Sequence, residues 1–158
     1  MPQTVNHNVT FTRFASKAEL PAEWRTLADE AEAATQHSYS PYSRFKVGCA
    51  LRLSSGRIMH GANQENVAYP SGLCAERSAF YGFGSTRTNG EMIEAVAVTT
   101  QNLDGQQDCS YSCGNCRQSM LEFETAQKQP IPLLMAEKGG TFILVNQVAD
   151  MLPLVFSF

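Results

Sequence analysis

Two short cysteine-containing segments constrain the fold of this chain more than any other part of its sequence. They read Cys74-Ala75-Glu76-Arg77 and Cys113-Gly114-Asn115-Cys116. Cys113 and Cys116 have the i, i+3 spacing that places two side chains on one face of a helix, so their sulfurs can reach one metal ion. If Cys74 completes the set, two segments that are distant in the sequence must meet in the folded chain.

The charges around these thiols indicate what such a site can do. Zn²⁺ bound by three protein ligands keeps its fourth tetrahedral position for water, as catalytic zinc sites do. Both segments are predicted to begin helices, where the partial positive charge of the helix N-terminus favours thiolates. Glu76 is placed to take a proton from the water, provided that the metal lies at the helix tip. Arg77 is placed to draw charge off the Cys74 sulfur, which helps the metal to acidify its water.

Hydrophobic periodicity predicts a chain in which strands and helices alternate. Strands are predicted over residues 8–15, 45–53, 57–62, 93–100, 132–135 and 141–145, the first as an added edge strand and the next two as a hairpin. Helices are predicted over residues 21–37, 74–84, 113–127 and 147–152. This order favours one domain over residues 1–158, an α/β fold built as a three-layer α/β/α sandwich with a mixed sheet of about five strands. Strands joined through the helices at Cys74 and Cys113 should be parallel neighbours.

Charge and hydropathy exclude several classes of partner. The chain has 12 Lys and Arg among 158 residues and a formal net charge of −3, so it lacks the basic surface that binds a nucleic-acid polymer. No apolar run approaches the roughly 20 residues of a membrane span, and the first residues lack a signal-peptide pattern. The odd number of cysteines, 5, favours reduced thiols or metal ligands over a disulfide framework. We therefore expect a cytoplasmic protein with no nucleic-acid polymer and no membrane as partner.

Extended by Arg117 and Gln118, the two cysteine segments resemble the zinc signature of the cytidine deaminase family, in its small form with three cysteine ligands. The likeness continues in residues 41–48, at residues 63–66, which resemble the family's Asn-x-Glu-Asn loop, and at residues 152–156, which resemble its terminal Leu-Pro-x-x-Phe. The resemblance implies zinc-dependent hydrolytic deamination of cytidine and deoxycytidine to uridine and deoxyuridine, with release of ammonia, as in pyrimidine salvage.

The same resemblance assigns roles to individual residues. One Zn²⁺ per subunit would be bound by Cys74, Cys113 and Cys116. Glu76 would be the catalytic proton carrier, with Arg77 supporting the ligands. Contacts with the nucleoside substrate would come from Phe45, Asn63, Glu65, Ala75 and Phe156. In the family the Asn and Glu bind ribose hydroxyls and the terminal Phe reaches the pyrimidine of a neighbouring subunit, which implies a homotetramer with shared active sites.

Two alternatives remain open at this point. The chain has Ser112 where the family usually has proline, Asn115 where it usually has a small residue, and an extra thiol at Cys109. If Cys109 completed a four-sulfur shell, the zinc would be structural and the chain a non-catalytic, zinc-stabilised binding module. The same zinc chemistry also suits a modified cytosine nucleoside such as blasticidin S, although Asn63, Glu65 and Phe156 favour an ordinary nucleoside.

Overall fold

The structure, a computed structural model, describes residues 2–156, in which six strands and three α-helices alternate along the chain. The strands are β1 (Phe11–Phe14), β2 (Lys46–Leu53), β3 (Ile58–Ala62), β4 (Ile93–Gln101), β5 (Leu133–Ala136) and β6 (Phe142–Val145). The α-helices are α1 (Ala22–Ala34), α2 (Ala75–Thr86) and α3 (Gly114–Gln127). Short 3₁₀ turns cover Lys17–Glu19, Thr35–His37, Tyr69–Ser71 and Val148–Met151. No helix in the described part of the chain combines the length and the apolar character that a membrane crossing requires.

All of these strands belong to one mixed sheet with the order β1-β6-β5-β4-β2-β3. β4 and β5 are parallel, and every other neighbouring pair is antiparallel. The predicted mixed sheet is confirmed, and its width is six strands rather than about five. β1 supplies the added edge: it pairs with β6 from Phe11↔Val145 to Phe14↔Phe142 and leaves most of its surface exposed.

The two predictions about parallel neighbours have different outcomes. β4 and β5, joined through α3, are parallel neighbours as expected. The prediction for β3 and β4, joined through α2, is wrong: they run in the same direction, but β2 lies between them. The hairpin explains the difference, because the tight turn at Gly56 (φ 83°) returns β3 along one edge of β2 and leaves the other edge for β4.

Helices cover both faces of the sheet and complete the three-layer sandwich. On one face, Trp24, Leu27 and Ala31 of α1 pack against small side chains that include Ala50 of β2 and Ala97 of β4. On the other face, α2 and α3 lie side by side over the larger apolar residues of the same strands. Because successive residues of a strand point to opposite faces, β2 and β4 contribute to both cores.

A glycine in β3 sets how deeply α2 sits on the sheet. A Cβ atom added at Gly61 would lie 2.4 Å from the Ala75 carbonyl oxygen and 2.5 Å from the Ala79 nitrogen. Both are backbone atoms of α2, which can make room only if the helix moves. Gly61 therefore permits the close approach that fixes the start of α2.

A buried carboxylate fixes α3. Glu124 is 7% exposed, and its Oε2 accepts hydrogen bonds from the Ile131 and Val148 backbone N–H groups, each at 2.8 Å. Its Oε1 accepts a third from the Ala149 N–H at 3.0 Å. The helix is thereby tied to the segment that enters β5 and to the 3₁₀ turn that follows β6.

The strand directions bring the starts of α2 and α3 to one edge of the sheet. β3, β4 and β5 point the same way, so their carboxyl ends share that edge. α2 follows the carboxyl end of β3, and α3 follows that of β4. Ligands of open α/β sheets bind in crevices at this kind of edge, and the two cysteine segments lie there.

Candidate active site

Three cysteine sulfurs converge where α2 and α3 begin. Cys74 is the N-cap residue of α2, Cys113 is the N-cap residue of α3, and Cys116 lies in the first turn of α3. Their Sγ atoms all lie within 4.8 Å of one another, with 4.0 Å between Cys74 and Cys113 and 3.5 Å between Cys113 and Cys116. Tetrahedral zinc with Zn–S bonds of about 2.3 Å holds its sulfurs about 3.8 Å apart. The donor atoms and their spacing therefore fit Zn²⁺.

The sulfur of Cys74 is held in the form that a metal binds. A hydrogen bond from the Cys116 thiol, supported by the Arg77 guanidinium, lowers the pKa of Cys74 to about 5 although burial opposes the shift. The same contact with Cys74 raises the pKa of Cys116. Arg77 Nη2 lies 3.9 Å from the Cys74 sulfur and also donates to the Gly72 carbonyl oxygen at 3.4 Å. The lowered pKa favours the thiolate form of Cys74, the state that coordinates metals.

Cys109 lies outside this group of sulfurs. Within residues 2–156, the cluster that could hold a metal consists of Cys74, Cys113 and Cys116. Cys109 is exposed, in the loop before α3. The four-sulfur alternative is therefore not favoured, and a zinc ion bound by three cysteines keeps an open position.

Glu76 lies in the first turn of α2, close to the sulfurs. The residue is 4% exposed, and this burial raises the pKa of its carboxyl group. The Ser112 hydroxyl approaches the same carboxyl group and partly opposes the rise in its pKa. Ser112 is also buried, and its Oγ has no hydrogen-bond partner of normal geometry among the residues that the structure describes. A buried carboxyl group with a raised pKa is suited to accept and return a proton.

The site opens into a cavity of about 580 Å³, to which Glu76, Arg77, Cys74 and Cys113 contribute. Small-molecule sites have volumes of roughly 300–1,000 Å³, so the cavity can enclose a ligand of nucleoside size. Its walls come from the turn before β2, from the loop between β3 and α2, and from the segment before α3. The wall residues outside the predicted set include Tyr42, Tyr69, Thr100, Ser110 and Tyr111.

The predicted nucleoside contacts are divided between the cavity and its surroundings. Phe45, Asn63 and Glu65 line the cavity. Ala75 is fully buried and Phe156 is 67% exposed, and neither is part of the wall. The Phe156 carbonyl oxygen accepts a hydrogen bond from Gln118 of α3 at 3.1 Å, which connects this residue to α3.

Asn63 and Glu65 also shape the wall in which they lie. Asn63 Nδ2 donates to the Phe45 carbonyl oxygen at 2.9 Å. Glu65 Oε2 accepts from the Tyr42 N–H at 2.9 Å and the Ser43 N–H at 3.2 Å, and Oε1 accepts from the Ser43 hydroxyl at 2.5 Å. The Ser43 hydroxyl bond leads the contacts that lower the pKa of Glu65. The two side chains therefore hold the turn that presents Phe45 to the cavity.

Three neighbours of the site received no functional role in the sequence analysis. Thr100 and Tyr111 line the cavity, and Ser112 approaches Glu76. The signal that could have found Tyr111 and Ser112 is their position directly before Cys113, where the chain departs from the family's usual proline. Thr100 carried no such signal, because it continues an ordinary central strand.

Sequence and structure comparisons point to one family. The family described as the cytidine and deoxycytidylate deaminase zinc-binding region matches residues 22–129. The cytidine deaminase of Mycobacterium tuberculosis is 39% identical over 140 residues, which are 85% of this chain and 90% of that protein. The cytidine deaminase of Sporosarcina psychrophila is 36% identical over 131 residues, 83% of this chain and 89% of that protein.

A solved structure extends this likeness to three dimensions. The crystal structure of cytidine deaminase from Burkholderia pseudomallei superposes with a TM-score of 0.71 at 32% sequence identity, over 87% of this chain and all of that one. The family match spans α1 to α3 and so includes the three sulfurs and Glu76. From the match, the likeness to these proteins and the site geometry, we conclude that the chain belongs to the cytidine and deoxycytidylate deaminase family.

Proposed function

We propose that this chain is a zinc-dependent cytidine deaminase, a hydrolase that converts cytidine and deoxycytidine to uridine and deoxyuridine with release of ammonia. The observation that carries the proposal is the buried Glu76 beside three sulfurs that fit one Zn²⁺, in the wall of a ligand-sized cavity. The relatives named cytidine deaminase support the same substrate class. Neither a binding module nor a deaminase of modified nucleosides has a comparable observation in its favour.

The side chains of the site have complementary parts in this reaction. Cys74, Cys113 and Cys116 would hold Zn²⁺, which would supply the Lewis acid that makes water nucleophilic near neutral pH. Glu76 would accept a proton from the attacking water and deliver it to N3 of the cytosine ring as the oxygen bonds to C4. It would then transfer the proton of the new C4 hydroxyl group to the amine, so that the C4–N bond breaks and ammonia leaves. Its burial keeps this proton transfer away from bulk water. Arg77 draws charge from the Cys74 sulfur and so limits the negative charge that three thiolates place on the metal.

The charges of the cavity favour a nucleoside over a nucleotide. Arg77 is the only Lys or Arg among the described residues that line it, and its guanidinium already contacts Cys74 and Gly72. Phosphate groups are normally bound by Arg or Lys side chains or by helix N-termini. Here the helix starts hold cysteines, and Glu65 adds a negative charge that repels phosphate. We infer that cytidine 5′-phosphate is a poor substrate, and that free cytosine, which lacks the ribose, is one too.

Assembly, location and domain structure are parts of the same proposal. We propose a homotetramer with shared active sites, in which Phe156 reaches a neighbouring subunit. Its side chain supports this role because it is largely exposed and lies outside the cavity of its own chain. The free thiols of all five cysteines support a cytoplasmic location. The single sheet that contains every strand found within residues 2–156 supports one domain over residues 1–158.

The direct test combines zinc analysis with an assay of turnover. Purified protein is analysed for zinc and given cytidine or deoxycytidine, and deamination is followed by the loss of ultraviolet absorbance. Glu76→Gln keeps the shape of the side chain and removes its capacity to carry protons. We expect this variant to retain one zinc per chain while kcat falls by about 10²–10⁴-fold. Glu122→Gln, at an exposed position on α3, is the matched control.

Each arm of this test can contradict a separate claim. Zinc-loaded wild-type protein that deaminates neither nucleoside would refute the proposed function. Substantial turnover by Glu76→Gln would show that another group carries the proton. Loss of zinc in Cys109→Ser would revive the four-sulfur site, whereas we expect that variant to keep both its zinc and its activity.

A further inference from the structure

The N-terminal strand is connected to the cavity through one carboxylate. Arg13 of β1 contacts Glu137 twice, from Nη2 to Oε1 at 3.0 Å and from Nε to Oε2 at 2.9 Å. Tyr111, a residue of the cavity wall, donates its hydroxyl hydrogen to the same Oε1 atom. The Thr141 hydroxyl adds a contact with Oε2 at 3.2 Å. Glu137 therefore joins the edge strand to the segment that leads into Cys113.

The backbone on both sides of this connection is fixed. Glu137 donates its N–H to the Thr141 carbonyl oxygen at 2.8 Å. Ser110, next to Tyr111, donates its N–H to the Ala136 carbonyl oxygen at 2.9 Å and its hydroxyl to the same oxygen at 3.0 Å. With the main chain held in this way, the direction of the Tyr111 ring depends on what its hydroxyl contacts. That contact is a carboxylate whose own direction is set by a two-point bond from Arg13, the geometry in which arginine orients a carboxylate best.

The charges in the group keep these contacts in place. The Tyr111 hydroxyl, with help from Arg13, lowers the pKa of Glu137, and Glu137 in turn raises the pKa of Tyr111. The carboxylate therefore stays ionised and the phenol stays a donor at neutral pH. Glu137 is 15% exposed and Arg13 is 58% exposed, so solvent screening weakens the ion pair. The contribution of Arg13 is thus orientation more than stability.

We propose that Tyr111 is a substrate-binding residue of the cavity wall and that Arg13 and Glu137 are positioning residues through which β1 sets its orientation. This inference rests on the proposed function, because it assumes that the nucleoside substrate binds against Tyr111. It separates binding from chemistry: Glu76 and the cysteines belong to the starts of α2 and α3, whereas Tyr111 is connected to β1 through Glu137. Disturbing Arg13 should change how well the substrate binds and leave the chemical step unaltered.

The test compares variants that remove single contacts. Arg13→Met keeps the aliphatic bulk and removes both donors to Glu137. Tyr111→Phe keeps the ring and removes only the hydroxyl. We expect each to raise KM for cytidine by about threefold to tenfold, the effect of one hydrogen bond of ordinary strength. kcat, zinc content and the unfolding midpoint should stay at the wild-type values.

A double variant tests whether Arg13 and Tyr111 affect KM through the same chain of contacts or independently. If Arg13 acts through Tyr111, the double variant Arg13→Met/Tyr111→Phe should raise KM no more than either single change. Arg52→Met is the matched control, since Arg52 of β2 also pairs with a glutamate, at 3.5 Å, and also lies over an aromatic ring. The Cζ atom of Arg52 lies 5.9 Å from the centroid of the Trp24 ring, and that of Arg13 lies 5.7 Å from the centroid of the Phe11 ring. Arg52 lies outside the cavity wall, so its variant should keep the wild-type KM.

The outcomes separate this inference from the proposed function. Wild-type protein that neither deaminates nor binds cytidine would overturn both. An active wild type together with an unchanged KM in Arg13→Met and Tyr111→Phe would overturn only the role of β1. Fully additive effects of the two changes would also overturn it, as would a rise in KM that is matched by loss of zinc.

Discussion

Replacing Glu124 should destabilise the protein far more than replacing an exposed glutamate of the same helix. The buried carboxylate accepts three backbone N–H groups, those of Ile131, Val148 and Ala149. In Glu124→Gln, the amide oxygen can keep the two donors of Oε2, but the amide NH₂ group then faces the Ala149 N–H. One hydrogen bond is lost and two lose a charged acceptor. Bonds to charged groups contribute about 1.5–3 kcal/mol each, so we expect a loss of about 2–3 kcal/mol.

Glu124→Ala gives the upper limit of the same effect. It leaves all three N–H groups without an acceptor, and a buried unpaired N–H costs about 1–3 kcal/mol. For three such groups we expect a loss of about 3–9 kcal/mol, a range that reaches the largest effects of single substitutions. The order of stability should therefore be wild type, Glu124→Gln, Glu124→Ala.

Thermal unfolding at equal protein and zinc concentrations measures these differences, because bound metal and subunit association also change the midpoint. For a chain of this size 1 kcal/mol shifts the midpoint by roughly 2–4 °C, so Glu124→Gln should unfold about 5–10 °C below wild type. Glu122→Gln, exposed on the same helix, should remain within about 0.5 kcal/mol of wild type. If Glu124→Gln unfolds together with the Glu122→Gln control, the carboxylate does not hold these N–H groups and the reasoning is refuted.

Two further predictions concern the packing of α2 against Gly61 and the effect of pH on stability. Gly61→Ala should destabilise by about 1–3 kcal/mol and lower zinc occupancy because its Cβ would meet the α2 backbone. Gly82→Ala, whose Cβ would meet only a side-chain methyl at 3.5 Å, should be neutral or stabilising. Equal losses of stability in both variants would contradict the claim that Gly61 permits the close approach of α2. Hydrogen bonds from Ser55 and Arg57 lower the pKa of Glu91 from its ordinary 4.5 to about 2, so its contribution to stability is present above pH 4.5 and disappears as the pH falls toward 2. The unfolding midpoints of wild type and Glu91→Gln should therefore converge over that range, and a difference independent of pH would count against this ionic role.

The parts of the fold that sequence reasoning anticipated are those with a local cause. The helices at Cys74 and Cys113 follow from periodicity, and the convergence of their cysteines follows from metal-ligand spacing. Local patterns could not predict which strand of the hairpin pairs with β4. That choice between β2 and β3 depends on which edge of the hairpin is free to form hydrogen bonds in the folded sheet. Local patterns also did not reveal that β1 stays mostly exposed, since its alternation resembles that of a half-buried strand.

The site shows the same division between local and distant causes. Asn63 and Glu65 were predicted from a motif, yet their hydrogen bonds with the turn before β2 became visible only in the folded chain. Tyr111 depends on partners from β1 and from the end of β5, so no window of sequence around it contains the reason for its orientation. Side chains whose roles arise from contacts between distant elements are the ones that sequence reasoning missed.

Gly61, Glu124 and Arg13 each stabilise a different part of the site, and replacing each should change a different measured property. Gly61 sets the depth of α2 and therefore the position of Cys74, so its replacement should show first in zinc occupancy. Glu124 anchors α3 by bonds remote from the cavity, so its replacement should show first in the unfolding midpoint. Arg13 contacts neither helix and acts on the wall through Glu137, so its replacement should show in KM alone. Because the three changes are expected in three different measurements, a variant that moves all of them together would indicate that these parts of the site are coupled through the metal site rather than independent.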